Sequence, residues 1–186
     1  YPFSNPLSSM FFKRARMIYT GLPGGPATAK LDTVYFTQWS DPDLGTYTDD
    51  YVGCDTTLSL GYVYNGNTFD ETFFDNYGSP VPAGGYDFLE GPKVADADGV
   101  LDTLGMTSFV YFAAGSSVSD PNTRVYAGTL QWFNLMEGFL PRPPYPTQND
   151  FVDPLTGLAE IFVLAGDPTT GTGWIDGIIL PPGDRR

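Results

Sequence analysis

The residues of this chain that could do chemistry are carboxylates, and they are densest between Trp39 and Asp55. This turn-rich segment holds five of them: Asp41, Asp43, Asp49, Asp50 and Asp55. No Lys or Arg occurs between Lys30 and Lys93 to balance their charge. Crowded carboxylates raise one another's pKa unless a cation or backbone N–H donors compensate them. Calcium, which takes about six to eight oxygen ligands, is the cation that this segment predicts.

A second acidic segment follows at Asp96, Asp98 and Asp102, where Asp98-Gly99 provides a sharp turn. Its spacing resembles an abbreviated calcium loop. Neither segment has the EF-hand spacing, so the calcium hypothesis rests on charge density and turn chemistry. Two alternatives stay open. The aspartates could simply cap turns, or the basic residues Lys13, Arg14 and Arg16 could neutralise them.

The residue types also exclude several kinds of catalysis. The chain has no histidine and one cysteine, Cys54. Ser-His-Asp and Cys-His nucleophiles, histidine-ligated zinc or copper, thiolate zinc sites and iron–sulfur clusters therefore cannot form within it. It also lacks a phosphate-binding glycine loop. We predict no enzymatic activity, and glycoside hydrolysis by a carboxylate pair is the enzyme class that remains.

The three tryptophans allow two interpretations. Trp39, Trp132 and Trp174 could form a sugar-stacking platform, or they could be ordinary core residues. Cys54 has no partner for an intrachain disulfide and is predicted to be a small buried hydrophobe.

The overall charge bears on partners and location. The formal net charge is −13 and the pI is near 4.1. Nucleic acids and anionic membranes attract Lys- and Arg-rich surfaces, so neither is predicted as a partner. The sequence contains no apolar run of about 18 residues, so no membrane span is predicted. The acidic balance fits an ionic setting outside the cell.

Short strands joined by tight turns must position these residues, since the chain contains 22 Gly and 17 Pro. Strands are predicted at Phe11–Tyr19, Leu31–Trp39, Thr57–Tyr64, Tyr86–Leu89, Met106–Ala113, Glu160–Ala165 and Trp174–Leu180. Asp70–Tyr77 is predicted as a helical turn or a loop, and Leu130–Leu140 as a short amphipathic helix ended by Pro141. The predicted fold is all-β and mainly antiparallel. It is a β-sandwich or jelly roll with long loops and one or two short helices.

The predicted domain organisation is simple. Residues 1–10 are an extended arm, and residues 11–186 form a single β-rich domain. Because the chain starts without Met and ends on a turn signal, we expect it to be a portion of a longer chain.

Several motifs resemble a segment of very large secreted proteins from Bacteroidetes and related bacteria. The motifs are Gln38–Gly45, Asp49–Asp55, Leu60–Gly66, Gly85–Phe88, Met106–Phe112, Gly171–Trp174 and Pro182–Arg186. The resemblance covers nearly all of the chain from about residue 15 and brings no assigned activity. It implies export by the type IX secretion system and a position outside the cell or at its surface. It also implies other domains of the same protein, or neighbouring surface proteins, as partners.

Together these features predict a non-enzymatic, calcium-stabilised, extracellular structural or adhesive module. One alternative is a module that binds glycans or cleaves them with a carboxylate pair. Another alternative is a subunit of an extracellular filament.

Overall fold

The structure is a computed structural model that describes residues 5–95, 97–111, 121–141, 150–153 and 156–172. The chain divides into two compact units, Tyr1–Val34 and Tyr35–Arg186. In the first unit, a short 3-10 turn at Pro6–Ser9 begins where Asn5 Oδ1 accepts the Leu7 N–H at 3.1 Å. Its described side chains are exposed, apart from the half-buried Ala29. The predicted strand Phe11–Tyr19 is wrong, since no strand forms there.

The second unit is organised around a three-stranded antiparallel sheet. Its strands are β1 (Asp50–Asp55), β2 (Leu60–Asn65) and β3 (Gly84–Asp87), in that order across the sheet. β1 pairs with β2 from Asp50↔Asn65 to Asp55↔Leu60. β2 therefore confirms the later part of the predicted strand Thr57–Tyr64, and β3 overlaps the predicted strand Tyr86–Leu89.

A smaller antiparallel hairpin and two helices follow. The hairpin pairs β4 (Lys93–Ala95) with β5 (Leu101–Thr103). Helix α1 (Glu71–Tyr77) confirms the predicted helical turn. Helix α2 (Tyr126–Glu137) confirms the second predicted helix but begins four residues earlier. It ends because Gly138, at φ +91°, turns the chain and donates its N–H to Leu135 O at 3.0 Å, so Pro141 is not its terminator.

The hydrophobic core lies between α2 and the chain around residues 151–164. Leu135, Phe151, Val163 and Leu164 form it, all of them at most 4% exposed. The predicted strand Met106–Ala113, described as far as residue 111, and the predicted strand Glu160–Ala165 appear there as isolated bridges, Phe109↔Phe162 and Cys54↔Ala165. A turn at Val163–Leu164, with Leu164 at φ +60°, interrupts the second segment.

The predicted strand Leu31–Trp39 is also wrong, although its sequence alternates well. Thr33 adopts φ +58°, which breaks an extended run. The next part of the segment is held by side chains instead. The Tyr35 ring packs edge-on to Phe133 at 5.4 Å, and its hydroxyl donates to Glu137 Oε1 at 3.0 Å.

The described elements are therefore mainly antiparallel strands with two short helices, which confirms the predicted fold class at that level. Neither described helix combines the length and apolarity that crossing a bilayer requires. The predicted strand Trp174–Leu180 lies outside the described residues.

Candidate functional site

The candidate site is the acidic loop, Asp41–Asp50, which leads into β1 through a 3-10 turn at Tyr47–Asp49. Asp50, the first residue of β1, is 4% exposed. Its Oδ2 accepts the backbone N–H of the buried Leu44 at 2.8 Å. The Asp50 carboxylate therefore holds the end of the loop against Leu44 and gives the Leu44 N–H an acceptor, without which this donor would be buried unpaired.

A second carboxylate, Asp70, joins the acidic loop to α1. Its Oδ1 accepts the Phe73 N–H at 2.6 Å as the helix N-cap, and its Oδ2 accepts the Thr46 N–H at 2.8 Å. Gly45, at φ +97°, lies so close that an added Cβ would overlap the Asp70 carboxylate. Sequence reasoning did not place Asp70 in the site. The available signal was an Asp directly before an acidic first-turn residue, Glu71, and aromatic residues at helical spacing, Phe73 and Tyr77.

The pKa values of the two buried carboxylates shift in opposite directions, because hydrogen bonding outweighs burial at Asp70 and burial outweighs hydrogen bonding at Asp50. The Phe73 N–H, together with Thr46, lowers the pKa of Asp70 although burial raises it. For Asp50, burial raises the pKa above its usual range and the Leu44 N–H only partly offsets this. The negative charges of Asp49 and Asp43 raise the pKa of Asp50 further. Asp50 is thus the carboxylate of the loop whose ionised form the fold disfavours.

Polar atoms near Asp50 are incompletely satisfied. Oδ1 of Asp49, Oδ1 of Asp50 and Nδ2 of Asn65 are buried and make no well-formed hydrogen bond. The Asn65 amide nevertheless lies near enough to the Asp50 carboxylate to lower its pKa. The other oxygen of Asp49, Oδ2, accepts from Asn67 Nδ2. Two carboxylate oxygens therefore remain in this corner with capacity for a further donor or a cation.

The other predicted ligands that the structure describes contribute no buried, unbonded oxygen to this corner. Asp41 and Asp43 are exposed at the start of the loop. Asp55 lies at the opposite end of β1, where its Oδ1 accepts the N–H groups of Thr57 and Leu58 at 2.8 and 3.1 Å.

The second acidic segment forms the β4–β5 hairpin. Asp98 lies in its turn, and Asp102 is exposed on β5 with Oδ1 2.7 Å from the Thr103 N–H. Asp96 lies outside the described residues. Within the described part of the chain, no group of three or more Asp, Glu, Cys or His side chains is arranged to hold a metal ion.

Cys54 is confirmed as a buried residue, with no measurable exposure. Burial raises the pKa of its thiol to about 12, and the charges of Asp153 and Asp55 add to the shift. The thiolate, which is the nucleophilic form of cysteine, is therefore suppressed at neutral pH.

A cavity of about 330 Å³ opens beside α2. Its lining combines apolar side chains with two acids: Gly138, Phe139, Asp150, Phe151, Ala159, Glu160, Ile161 and Phe162. Neither described tryptophan lines it. Trp132 packs partly buried against the core, as the core interpretation predicts, whereas Trp39 is 50% exposed. Trp174 lies outside the described residues.

Comparison of the chain with protein-family models, with curated proteins and with solved structures gave no match.

Proposed function

We propose that this chain is a non-enzymatic structural or adhesive module of a large extracellular or cell-surface protein, exported by the type IX secretion system. The observation that supports this most is the balance of its apolar side chains. In the described part of Tyr35–Arg186, seven hydrophobic side chains are buried, while twenty large ones are exposed. So many exposed apolar side chains beside so small a core favour a surface that a partner covers. Other domains of the same protein, or neighbouring surface proteins, would cover this surface.

The sandwich or jelly-roll arrangement belongs to the same proposal. A three-stranded antiparallel sheet and a two-stranded antiparallel hairpin are the described parts from which such a fold would be built. Further strands from a neighbouring domain would extend these sheets and bury their exposed faces.

The module role can be tested by comparing the chain alone with a longer version that includes its natural flanking sequence. We expect the chain alone to bind the dye ANS strongly and to unfold at a lower temperature than the longer protein. If the chain alone is a monomer that binds no ANS and is as stable as the longer version, its exposed apolar surface needs no neighbour and the proposal fails.

Calcium is part of the proposal, with the corner of Asp49 and Asp50 as its site. The support is the pair of buried carboxylate oxygens without a hydrogen bond, next to the charge of Asp43. Backbone carbonyls and water would complete the ligand set, since calcium accepts both. A cation there would offset the repulsion that raises the pKa of Asp50.

Thermal unfolding in excess calcium, in chelator and in magnesium tests this site. At a calcium concentration a hundred times the Kd, binding adds about 2.7 kcal/mol, which raises the Tm by about 5 to 10 °C. Asp49→Asn should abolish the rise, whereas the exposed Asp87→Asn should retain it. If calcium does not raise the Tm, the aspartates act as turn caps and loop acceptors only.

A glycan-binding or glycan-cleaving site is the second candidate, and the cavity beside α2 is the observation that favours it. Asp150 and Glu160 supply carboxylates, and Phe139 and Phe162 supply apolar faces for a sugar ring. A glycan array should then show hits that the double variant Asp150→Asn/Glu160→Gln loses. An array without hits, and without released sugar from any of its glycans, excludes this candidate.

A further inference from the structure

The surface around α1 exposes an unusual number of aromatic rings. We call Phe69, Phe73, Phe74 and Tyr77 the α1 aromatic patch. Phe69, Phe74 and Tyr77 are 54%, 44% and 70% exposed, and none of the α1 residues is buried. The rings contact one another, with centroids 5.3 Å apart for Phe69 and Phe74 and 4.6 Å apart for Phe73 and Tyr77. The patch is thus an apolar surface that the described part of Tyr35–Arg186 leaves uncovered.

Hydrogen bonds to the acidic loop, rather than burial in a hydrophobic core, fix the position of α1. Asp70 binds the Thr46 N–H and caps the helix, and the hydroxyls of Thr46 and Thr72 lie 3.0 Å apart. Close approach of Gly45 to Phe73 completes the attachment. Because the rings are already positioned before a partner arrives, binding would lose little conformational entropy at this surface.

The charge around the patch is negative. Glu71 and Asp75 are exposed on α1 itself, and Asp41 and Asp43 are exposed on the acidic loop. No Lys or Arg occurs in the sequence between Lys30 and Lys93. A complementary partner would therefore combine apolar side chains with Lys or Arg, whose cations also bind the faces of aromatic rings.

Such a segment exists in the chain at Met10–Tyr19. It carries Lys13, Arg14 and Arg16, which are three of the nine basic residues. Its apolar side chains are open to solvent, with Phe11 90% and Phe12 66% exposed. It forms neither helix nor strand. Its composition therefore complements the α1 aromatic patch in both charge and apolar character.

We propose that the α1 aromatic patch is the docking site for the Met10–Tyr19 segment of a second copy of this chain. The inference rests on the proposed role as a structural module and names the partner of that role. Because each copy carries both the segment and the patch, the contact can repeat from copy to copy. Such a head-to-tail contact yields an open chain unless the rotation between copies closes a ring.

Light scattering coupled to size exclusion tests the docking with the full chain. We expect the mass to rise with protein concentration and to fall at high salt, because the contact is partly ionic. The triple variant Lys13→Glu/Arg14→Glu/Arg16→Glu and the double variant Glu71→Lys/Asp75→Lys should each weaken association at least tenfold. The matched control Arg124→Glu changes an exposed basic residue elsewhere and should associate like the unmodified chain.

Mixing the two charge-reversed variants provides the decisive measurement. Each variant keeps one unmodified half of the contact, and the two reversed halves complement each other in charge, so the mixture should regain association that neither variant shows alone. Assembly beyond a heterodimer requires the contact between the reversed halves as well. A monomeric unmodified chain, or variants that associate as it does, would overturn the proposal. If the unmodified chain is monomeric but binds ANS, the docking proposal fails and the proposed module function stands. If it is monomeric and binds no ANS, the proposed module function fails as well.

Discussion

At the scale of single residues, the acidic loop shows how two buried carboxylates can have opposite effects on folding. Asp70 accepts two backbone N–H groups, so its ionised form is favoured in the folded state. Asp50 accepts one backbone N–H and lies beside other negative charges. Its ionised form is therefore disfavoured. Both residue-scale predictions follow from this difference.

Replacing Asp50 with Asn is expected to raise the Tm by a few degrees at pH 7 in chelator. Because the folded pKa of Asp50 lies above its usual value of 3.8, the carboxyl adds stability at low pH. That contribution is lost as the pH rises through the folded pKa. Asn keeps an acceptor oxygen for Leu44 and removes the charge. The benefit should vanish below pH 3.8, and a lower Tm at pH 7 would contradict the assignment.

Replacing Asp70 with Ala is expected to lower the Tm by a few degrees at pH 7, since it removes the α1 cap and the acceptor for Thr46. The folded pKa of Asp70 is depressed, so its contribution is present above the usual pKa and is lost as the pH falls through the folded value. Thermal unfolding from pH 7 to pH 2 measures this. Asp75→Ala on the same helix is the control, and equal effects of both changes would exclude the cap.

At the scale of elements, local patterns predicted the helices better than the strands. α2 was found from the apolar spacing of its own residues, and α1 was predicted as a helical turn with a loop as the alternative. β1 was missed, because its sequence reads as an acidic loop and its pairing depends on β2. Leu31–Trp39 alternates like a strand, yet Thr33 turns the backbone. Pairing and positive φ values at non-glycine residues are set by contacts that a local pattern does not contain.

The candidate site shows the same limit. Charge density pointed to the acidic loop, which holds the two carboxylates of this corner, Asp49 and Asp50. However, the side chains that complete this corner, Asn65 and Asp70, come from β2 and the cap of α1. Asn65 reaches it through the β1–β2 pairing, which fixes Asp50 opposite Asn65, and Asp70 reaches it through its bond to the Thr46 N–H. Residue types alone do not show which oxygens converge.

Replacing Gly128 with Ala in α2 is expected to destabilise the fold by about 1–3 kcal/mol through overpacking. Helix propensity alone predicts the opposite, a gain of about 1 kcal/mol. Gly128 is buried, and an added Cβ would overlap the backbone carbonyl of Asn122. Urea unfolding of this variant, compared with the exposed Thr129→Ala, measures the difference. A more stable Gly128→Ala would show that the contact can relax.

At the scale of the whole molecule, a net charge of −13 opposes compaction. Raising NaCl from about 0.05 to 0.5 M in chelator should therefore raise the Tm by a few degrees, because salt screens repulsion between exposed charges. Differential scanning calorimetry measures this, and choline chloride serves as a control for sodium binding. A Tm that falls with both salts would mean that attractive ion pairs outweigh the repulsion.

The alkylation rate of Cys54 reports how often the sheet around it opens. This cysteine is the sole sulfhydryl in 186 residues, and it lies on β1, where its backbone pairs with β2 and contacts Leu164. An alkylating reagent reaches it only when this part of the sheet opens. At high reagent concentration the labelling rate becomes the opening rate, and at low concentration it reports the open population. A time course of mass spectra on the native sequence thus gives the opening rate of the sheet, even in a mixture of other proteins.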